Sequence, residues 1–433
     1  MVNGIAIFFA LIVIYMVFGY ALGRISITMP MFFVIGGAII GAEGLGWISF
    51  GLEASEVETL TEVTLALLLF ADAATLKFGE VRDDAKMPGR LLVIAFPLVL
   101  LFGALTGFIL FPSEGIGFAL LLGAILAPTD AALGLPIFNN SHVPVRIRRA
   151  LNVESGLNDG LASPLVTLFI ALALEQMSGA QDQNWLLGAV SAIGVALVVG
   201  AVLALASGWL FAQAVKKNWT SSIARQIGNP ALALLIFFVT KQLGGNGFVA
   251  VFVAGLLFAY ITRNVLHEAI EFTEITGTFL SLFVWTIFGS IIVLPLFKDF
   301  NALALLYAIL SLTAVRMIAV AIALMGAHLR KDTTLMMGWL GPRGLASVVF
   351  LIMAYEAAHK VHVETNLLVE TVGWTILLSV ILHGASALPL ANWYARRLEG
   401  ANPNIPEMAE ADEPLTLRRK VFHAGLLDRV KSK

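Results

Sequence analysis

The chain has 433 residues, of which 59% are hydrophobic and only 13% are charged, and its mean hydropathy is +0.89. Soluble globular domains carry about 25% charged residues, so this composition excludes a soluble globule and predicts an all-α polytopic membrane protein. The formal net charge of −2 averages over separate loops, and no basic surface large enough for nucleic acid remains once the loop cations are assigned to membrane topology. The absence of cysteine excludes disulfides and thiol catalysis.

Apolar windows of about 20 residues, the length that crosses a bilayer, recur along the chain and predict thirteen transmembrane helices. They lie at about 3–22, 28–46, 57–76, 90–111, 114–136, 148–177, 184–212, 222–242, 246–261, 269–294, 300–326, 332–355 and 366–391. The first window has neither a basic start nor a small-residue cleavage site, which favours a helix over a signal peptide.

The distribution of basic residues predicts the orientation. If the N-terminus lies outside, 22 of the 27 Lys and Arg fall in cytoplasmic loops or in the tail, as expected for a cell inner (plasma) membrane protein. The C-terminus is then cytoplasmic. The membrane part covers 1–391, and a tail covers 392–433, within which 415–427 is compatible with a surface helix against lipid headgroups or with disorder.

Two predicted spans are interrupted at matching places. The fifth, running inward, breaks at Pro128–Asp130, and the twelfth, running outward, breaks at Gly338–Gly344. A separation of seven helices inverts the direction, which predicts inverted repeats whose broken helices meet near the membrane midplane. Either break alone would mean little, because proline and glycine are common in membrane helices. Both breaks lie beside an ionisable residue, which favours a function.

Three acids lie in the fifth and sixth spans: Asp130, Glu154 and Asp159. A carboxylate near the bilayer centre costs roughly 2.5 to 3.5 kcal/mol, so these acids indicate an ion or proton pathway. On one helix, Ser155 and Asp159 share a face, and Glu154 and Asn158 form the adjacent stripe.

Asp130 and the backbone carbonyls near Pro128 and Thr129 would add further oxygen ligands. An all-oxygen site suits a small hard cation such as Na⁺ or Li⁺. Burial disfavours a charged carboxylate while a nearby cation favours it, so Asp159 would hold either a proton or a cation. This competition predicts the coupling of proton and cation transport.

Two arginines, Arg316 and Arg343, lie within the eleventh and twelfth spans. A buried arginine needs compensation, so we expect each to have a carboxylate partner. Glu154 is the predicted partner of Arg316. Asp72 is expected to face Arg343 or to hold a water at the site. Its position fits an ordinary acid at the membrane interface, with no role in the site, nearly as well.

An intramembrane serine hydrolase using Ser155 and His383 is a remote alternative. The chain lacks the Gly-x-Ser-x-Gly elbow, and this interpretation leaves Asp130 and Asp159 unexplained. His383 is more simply interpreted as a packed polar residue. A passive channel is another alternative, and it would conduct ions without coupling their movement to protons. The acids at the start of the tenth span suit a helix N-terminus and are not assigned to the site; they are Glu268, Glu271 and Glu274.

The motif Ala127-Pro128-Thr129-Asp130, followed by Glu154-Ser155-Gly156-Leu157-Asn158-Asp159-Gly160, resembles the signature of the NhaP and sodium/hydrogen-exchanger branch of the monovalent cation:proton antiporters. The resemblance also covers Leu67 to Asp72, the arginine of the eleventh span, and Gly341 to Gly344. It implies that Asp159 carries ion and proton and that Thr129, Asp130 and Ser155 complete the cation site. Asn158 matches the branch regarded as electroneutral, and Glu154 matches an acid paired with a buried arginine.

The same resemblance implies an NhaA-like homodimer without a cofactor. A core domain at about 90–177 and 300–391 would move against a dimerisation domain at about 1–76 and 184–294. The expected function is electroneutral one-to-one exchange of Na⁺ or Li⁺ for protons by alternating access, with a potassium/proton antiporter or potassium efflux transporter as the alternative. Two positions depart from the family pattern: Pro342 precedes Arg343, and Asp72 stands where relatives carry a longer acid.

Overall fold

The structure, a computed structural model, describes residues 2–48, 51–75, 86–138, 140–178, 185–262, 267–399 and 405–408. These residues form helices and turns, with no β-strand among them. We number the helices in chain order and count as one a helix that continues through a π-helical turn. They are α1 Val2–Arg24, α2 Met29–Ile40, α3 Ser55–Ala74, α4 Lys86–Leu110, α5 Gly115–Ile125, α6 Ala131–Phe138, α7 Val145–Ser178, α8 Trp185–Lys216, α9 Ser222–Gln242, α10 Gly247–Thr262, α11 His267–Phe288 with its continuation to Lys298, α12 Ala302–Ala323, α13 Lys331–Trp339, α14 Leu345–Lys360 and α15 Asn366–Leu398.

The helices follow the predicted spans closely. Each of the thirteen windows contains a helix or a pair of half-helices. Among the described residues, eight helices are long and apolar enough to cross a membrane, and three shorter apolar helices accompany them. The chain is therefore a multi-pass membrane protein, while the number of thirteen crossings stays a prediction.

Two predicted boundaries are wrong by six or seven residues. The second span was expected to reach residue 46, but α2 ends at Ile40, because Gly41 has an extended backbone with ψ of 174°. The chain passes so close to Ser290 there that a Cβ on Gly41 would lie 2.6 Å from the Ser290 carbonyl oxygen. The last span was expected to end at residue 391, but α15 continues to Leu398. The predicted tail therefore begins with helix, and its segment 415–427 lies outside the described residues.

The helices pack in two groups. Helices α1–α3 pack with α8–α11, and α4–α7 pack with α12–α15. The groups meet where α7 lies against α3, α8 and α10, where α14 lies against α3 and α11, and where α15 lies against α2 and α11. A cleft between the groups can therefore be lined by residues of α3, α7, α11 and α14.

Helices α4 and α12 each contain a π-helical turn, at Leu91–Ala95 and Ser311–Val315. These helices correspond to the fourth and eleventh predicted spans, which are seven apart, like the two broken spans. A π-helical turn holds one more residue than an α-helical turn and is often found at functional sites. The π-helical turn of α12 ends directly before Arg316.

The two broken helices are present and touch each other. The fifth span stops at Ile125 and resumes at Ala131, and the twelfth stops at Trp339 and resumes at Leu345. The second break therefore starts two residues later than predicted. The backbone N–H of Asp130 donates to the carbonyl of Pro342 at 2.7 Å, so the two breaks meet. The predicted fold class, with two crossing broken helices, is confirmed.

Asp130 compensates the N-termini of two half-helices. Its Oδ1 accepts the backbone N–H of Ala132 at 2.6 Å, in α6, and its Oδ2 accepts that of Leu345 at 3.0 Å, in α14. Helix N-termini carry unsatisfied N–H groups and partial positive charge. One carboxylate therefore caps one helix from each of the two broken spans.

Arg343 and Ser347 compensate the opposite end of the first break. The Nη1 of Arg343 donates to the carbonyls of Leu126 and Ala127, the latter at 2.7 Å, and Ser347 Oγ donates to the carbonyl of Ile125 at 2.7 Å. These are the orphan carbonyls where α5 ends. Inside a membrane each unsatisfied backbone group costs several kcal/mol, so this compensation allows the break to exist.

Substitution of Gly344 by alanine should destabilise the fold. A Cβ at Gly344 would overlap the carboxylate of Asp130, so the caps of α6 and α14 would have to shift. Overpacking of this kind costs roughly 1–3 kcal/mol. We expect Gly344→Ala to lower the midpoint of thermal unfolding in detergent.

Gly188→Ala is the matched control, because nothing lies within 4 Å of the Cβ position of Gly188 in α8. Alanine is a better helix former than glycine, so this variant should be at least as stable as the unsubstituted protein. Equal losses for the two variants would contradict the proposed role of the close approach at Gly344.

Candidate functional site

A cavity of about 100 Å³ lies between the two groups of helices. This volume holds several water molecules or a partly hydrated cation. Its acidic and polar lining includes Asp72 of α3, Asp130 at the first break, Ser155 and Asp159 of α7, and Glu271 and Glu274 of α11. The cavity therefore brings together residues from both halves of the chain.

Three polar side chains form a hydrogen-bonded cluster behind this cavity. Thr129 Oγ1 lies 3.0 Å from Ser155 Oγ, and Asn158 Nδ2 donates to Thr129 Oγ1 at 2.7 Å. All three residues are buried. The buried Oδ1 of Asn158 has no hydrogen-bond partner among the described residues, so the cluster retains an oxygen acceptor. Buried polar groups normally have partners, which makes this acceptor suitable for a cation or a water.

The predicted cation ligands lie close together, as the sequence analysis expected. Asp130, Ser155 and Asp159 line one cavity, and Thr129 is hydrogen-bonded to Ser155. Asp159 lies one helical turn after Ser155 and is half-buried. The arrangement offers carboxylate, hydroxyl and amide oxygens, which suit hard cations. Their role as ligands stays a prediction.

Glu154 and Arg316 form a buried ion pair between α7 and α12. Arg316 Nη1 and Nη2 donate to the two carboxylate oxygens at 2.5 and 2.9 Å, and each side chain is only 2% exposed. The predicted partner of Arg316 is thus correct. A bidentate pair compensates two buried charges, and loss of either partner would leave the other charge uncompensated.

The expected carboxylate partner of Arg343 is wrong. The partners of its guanidinium among the described residues are backbone carbonyls of the first break. The partial negative charge at the end of α5 replaces the acid, because several aligned carbonyls converge there. Asp72 instead lines the cavity beside α7, and its Cβ lies 3.8 Å from the Cβ position of Gly156.

Glu271 and Glu274 line the cavity, although the sequence analysis did not assign them to the site. They begin a stripe on α11 that continues through Thr278 and Ser281 to Trp285. These positions recur at intervals of three or four residues, so they share one face of the helix. This polar stripe on an otherwise apolar span is the sequence signal that could have predicted that Glu271 and Glu274 face the cavity.

Ser155 and His383 belong to separate networks. Ser155 is hydrogen-bonded to Thr129, whereas His383 Nδ1 lies 3.2 Å from Ser379 Oγ. Ser379 Oγ in turn accepts the backbone N–H of Arg343 at 2.6 Å. His383 therefore supports the second break, and the geometry does not favour a Ser155–His383 hydrolase.

The proteins that resemble this chain in sequence include cation/proton antiporters of the NhaP type. The chain is 25% identical over 91% of its length to "K(+)/H(+) antiporter NhaP" of Alkalimonas amylolytica, covering 66% of that protein. It is 25% identical over 65% of its length to "Na(+)/H(+) antiporter ApNhaP" of Aphanothece halophytica, covering 54% of that protein. The chain thus spans less than two thirds of the length of these relatives.

The fold has solved counterparts. The sodium proton antiporter MjNhaP1 from Methanocaldococcus jannaschii, determined at pH 8, superimposes with a TM-score of 0.73 at 22% identity, over 90% of this chain and 98% of that one. The family model described as "Sodium/hydrogen exchanger, transmembrane" matches residues 7–393. Because this match covers nearly the whole membrane part, the chain belongs to the sodium/hydrogen exchanger family.

Proposed function

We propose that the chain is a secondary-active antiporter that exchanges Na⁺ or Li⁺ for protons. The observation that carries the proposal is the convergence of Asp159, Ser155 and Asp130 on one cavity, with Thr129 and Asn158 hydrogen-bonded behind it. Family membership and the sodium/proton antiporters among the similar proteins support the same function. The carrier needs no cofactor, because its substrates are a monovalent cation and a proton.

The contacts divide the three acids by role. Glu154 is neutralised by Arg316, and both oxygens of Asp130 accept backbone N–H groups. We assign the exchange of a proton for a cation to Asp159, because its side chain lines the cavity beside Ser155, whereas Glu154 is buried against Arg316. Cation and proton compete for this carboxylate, and the competition couples their opposite movements.

A single exchanging carboxylate gives one proton per cation. Asn158 is neutral and donates to Thr129, so it adds no second titrating charge. The proposed exchange is therefore electroneutral.

Alternating access requires one part of the molecule to move against another. We assign the core to about 90–177 and 300–391, and the dimerisation scaffold to about 1–76 and 184–294. The separate packing of the two helix groups supports this division, and the cavity lies at their boundary. With the N-terminus outside in an inner (plasma) membrane, the cavity opens to the cytoplasm, since Glu271 and Asp72 lie near the cytoplasmic ends of α11 and α3.

Potassium is the alternative cation. The relative from Alkalimonas amylolytica carries a potassium/proton name, and an oxygen ligand set does not by itself exclude the larger ion. The choice between the two cations therefore needs a transport measurement.

Purified protein in proteoliposomes should move protons when Na⁺ or Li⁺ is added across an imposed proton gradient. We expect K⁺ to give a much weaker response, measured with a pH-sensitive dye across a range of pH values. A stronger response to K⁺ would establish the potassium alternative, and no response to any of the three cations would contradict the proposed function.

The same vesicles test the stoichiometry. With sodium and proton gradients balanced, an imposed membrane potential should drive no net proton movement. Potential-driven exchange would show that more than one charge moves per cycle.

Asp159→Asn should abolish exchange, because an amide cannot release a proton for a cation. The exposed loop acid Asp299 provides the matched control, since Asp299→Asn makes the same change away from the cavity. We expect the control to exchange at the unsubstituted rate in the dye assay. Full exchange by Asp159→Asn would refute its role as carrier.

We further propose a homodimer formed through the scaffold and surrounded by membrane lipid. In the most hydrophobic window of α1 only 6% of the residues are buried inside the protomer, so this helix offers an apolar face to a second copy or to lipid. The mass in detergent should be twice the 46.4 kDa of one chain.

Because the chain has no native cysteine, single thiols can test which face forms the dimer. A thiol at Val17 on α1, 62% exposed, should allow cross-linking between protomers by a bifunctional reagent. A thiol at Ile309 on α12, 46% exposed, should not. A monomeric mass, or cross-linking only through Ile309→Cys, would refute this arrangement.

A further inference from the structure

The segment 405–408, beyond the last helix, returns to the membrane part of the chain. It forms a single 3₁₀ turn at Pro406–Met408. Ile405 packs against a buried apolar cluster that includes Phe138, Ala150 and Met336. Glu407 is 0% exposed, which is unusual for an acid in a terminal tail.

The contacts of Glu407 explain its burial. Its Oε1 accepts the backbone N–H of Arg330 at 2.7 Å and the hydroxyl of Thr333 at 2.9 Å. Thr333 Oγ1 also lies 2.8 Å from the hydroxyl of Tyr394 in α15. The carboxylate thus connects the tail to α13 and, through Thr333, to α15.

These contacts cap the N-terminus of α13. In a capping box, an acid at the third helical position accepts the backbone N–H of the N-cap residue. In α13 the N-cap is Arg330, whose side chain forms no cap, and the third position is Thr333. Glu407 supplies the missing carboxylate from the tail, where it also complements the positive end of the helix dipole.

A second contact fixes the tail to α7. Arg146 Nη1, in the first turn of α7, donates to the carbonyl of Pro406 at 2.6 Å. Helix α7 carries the cation-site residues, and α13 leads into the break at Gly341 and Pro342. The carbonyl of Pro342 accepts the backbone N–H of Asp130, and a Cβ at Gly341 would overlap Arg316. The tail therefore holds two helices whose other parts meet at the site.

We propose that residues 405–408 are a brace that fixes α13 against α7 and thereby sets the cation affinity of the site, with Glu407 as its positioning residue. Its contacts lie within one helix group, the group assigned to the core, so the brace does not lock the core to the scaffold. It preorganises the ligands, and its loss weakens cation binding more than it slows the transport cycle. For its transport readout this inference rests on the proposed function.

Three variants of the full chain test the brace. Glu407→Ala removes both hydrogen bonds to α13. Glu407→Gln keeps a carbonyl oxygen that can accept them. Glu399→Ala is the matched control, because it makes the same glutamate-to-alanine change at an exposed acid just after α15.

Backbone hydrogen exchange over residues 330–334 measures the cap directly. We expect Glu407→Ala to speed exchange there by roughly tenfold, Glu407→Gln to recover most of the protection, and Glu399→Ala to match the unsubstituted chain. Unchanged protection in Glu407→Ala, or an equal loss in Glu399→Ala, would overturn the proposal.

Sodium-dependent proton movement in proteoliposomes measures the consequence. Glu407→Ala should raise the half-saturating Na⁺ concentration by about three- to tenfold while the maximal rate stays within about twofold. Glu407→Gln should lie close to the unsubstituted chain. Faster hydrogen exchange with an unchanged sodium dependence would show that the contact exists but does not set the site, and would overturn the proposal.

If Glu407→Ala does not fold, Thr333→Val removes one of the two hydrogen bonds to Glu407, together with the contact to Tyr394, at nearly constant volume. It should give smaller changes in the same direction. If the unsubstituted protein exchanges no cation, the proposed function fails while hydrogen exchange still decides whether the cap exists. The two failures are therefore distinguishable.

Discussion

The structure depends on the satisfaction of backbone groups where two helices are interrupted inside a membrane. The lipid core offers no water, so N–H and C=O groups freed by a break must find partners within the protein or in a cavity that the protein encloses. Asp130 accepts from the N-termini of α6 and α14, and Arg343 donates to the carbonyls that end α5. Opposite charges thus lie at opposite helix ends, and the crossing is stable without a continuous helix.

This crossing also determines where the other charges can lie. Glu154 is buried on α7 and forms an ion pair with Arg316 of α12, so it does not need the positive end of a half-helix as its counter-charge. Asp159, a little more than one turn further along α7, faces the cavity with Ser155. The two acids project from different stripes of one helix, Glu154 toward the guanidinium of Arg316 and Asp159 toward the cavity, and this difference in position supports the different roles proposed for them.

Much of this arrangement was predictable, because acids and helix breakers are conspicuous in apolar spans. The breaks, the grouping of Asp130 with Ser155 and Asp159, and the pairing of Glu154 with Arg316 follow from the high cost of uncompensated charge. The partner of Arg343 was not predictable by pairing charged side chains, since aligned carbonyls act as its counter-charge. Glu271 was missed because proximity between distant helices is not visible in sequence, and Glu407 because its partner is a backbone N–H 77 positions away.

The π-helical turn before Arg316 constrains the length of the chain as strictly as its chemistry. One additional residue in a helix rotates everything beyond it by about 100°. Arg316 directly follows the wide turn at Ser311–Val315 and meets Glu154 in the orientation that this turn sets. A deletion of one residue there would keep both Arg316 and Glu154 and still point the guanidinium away from its partner, so the length of this part of α12 matters as much as its residues.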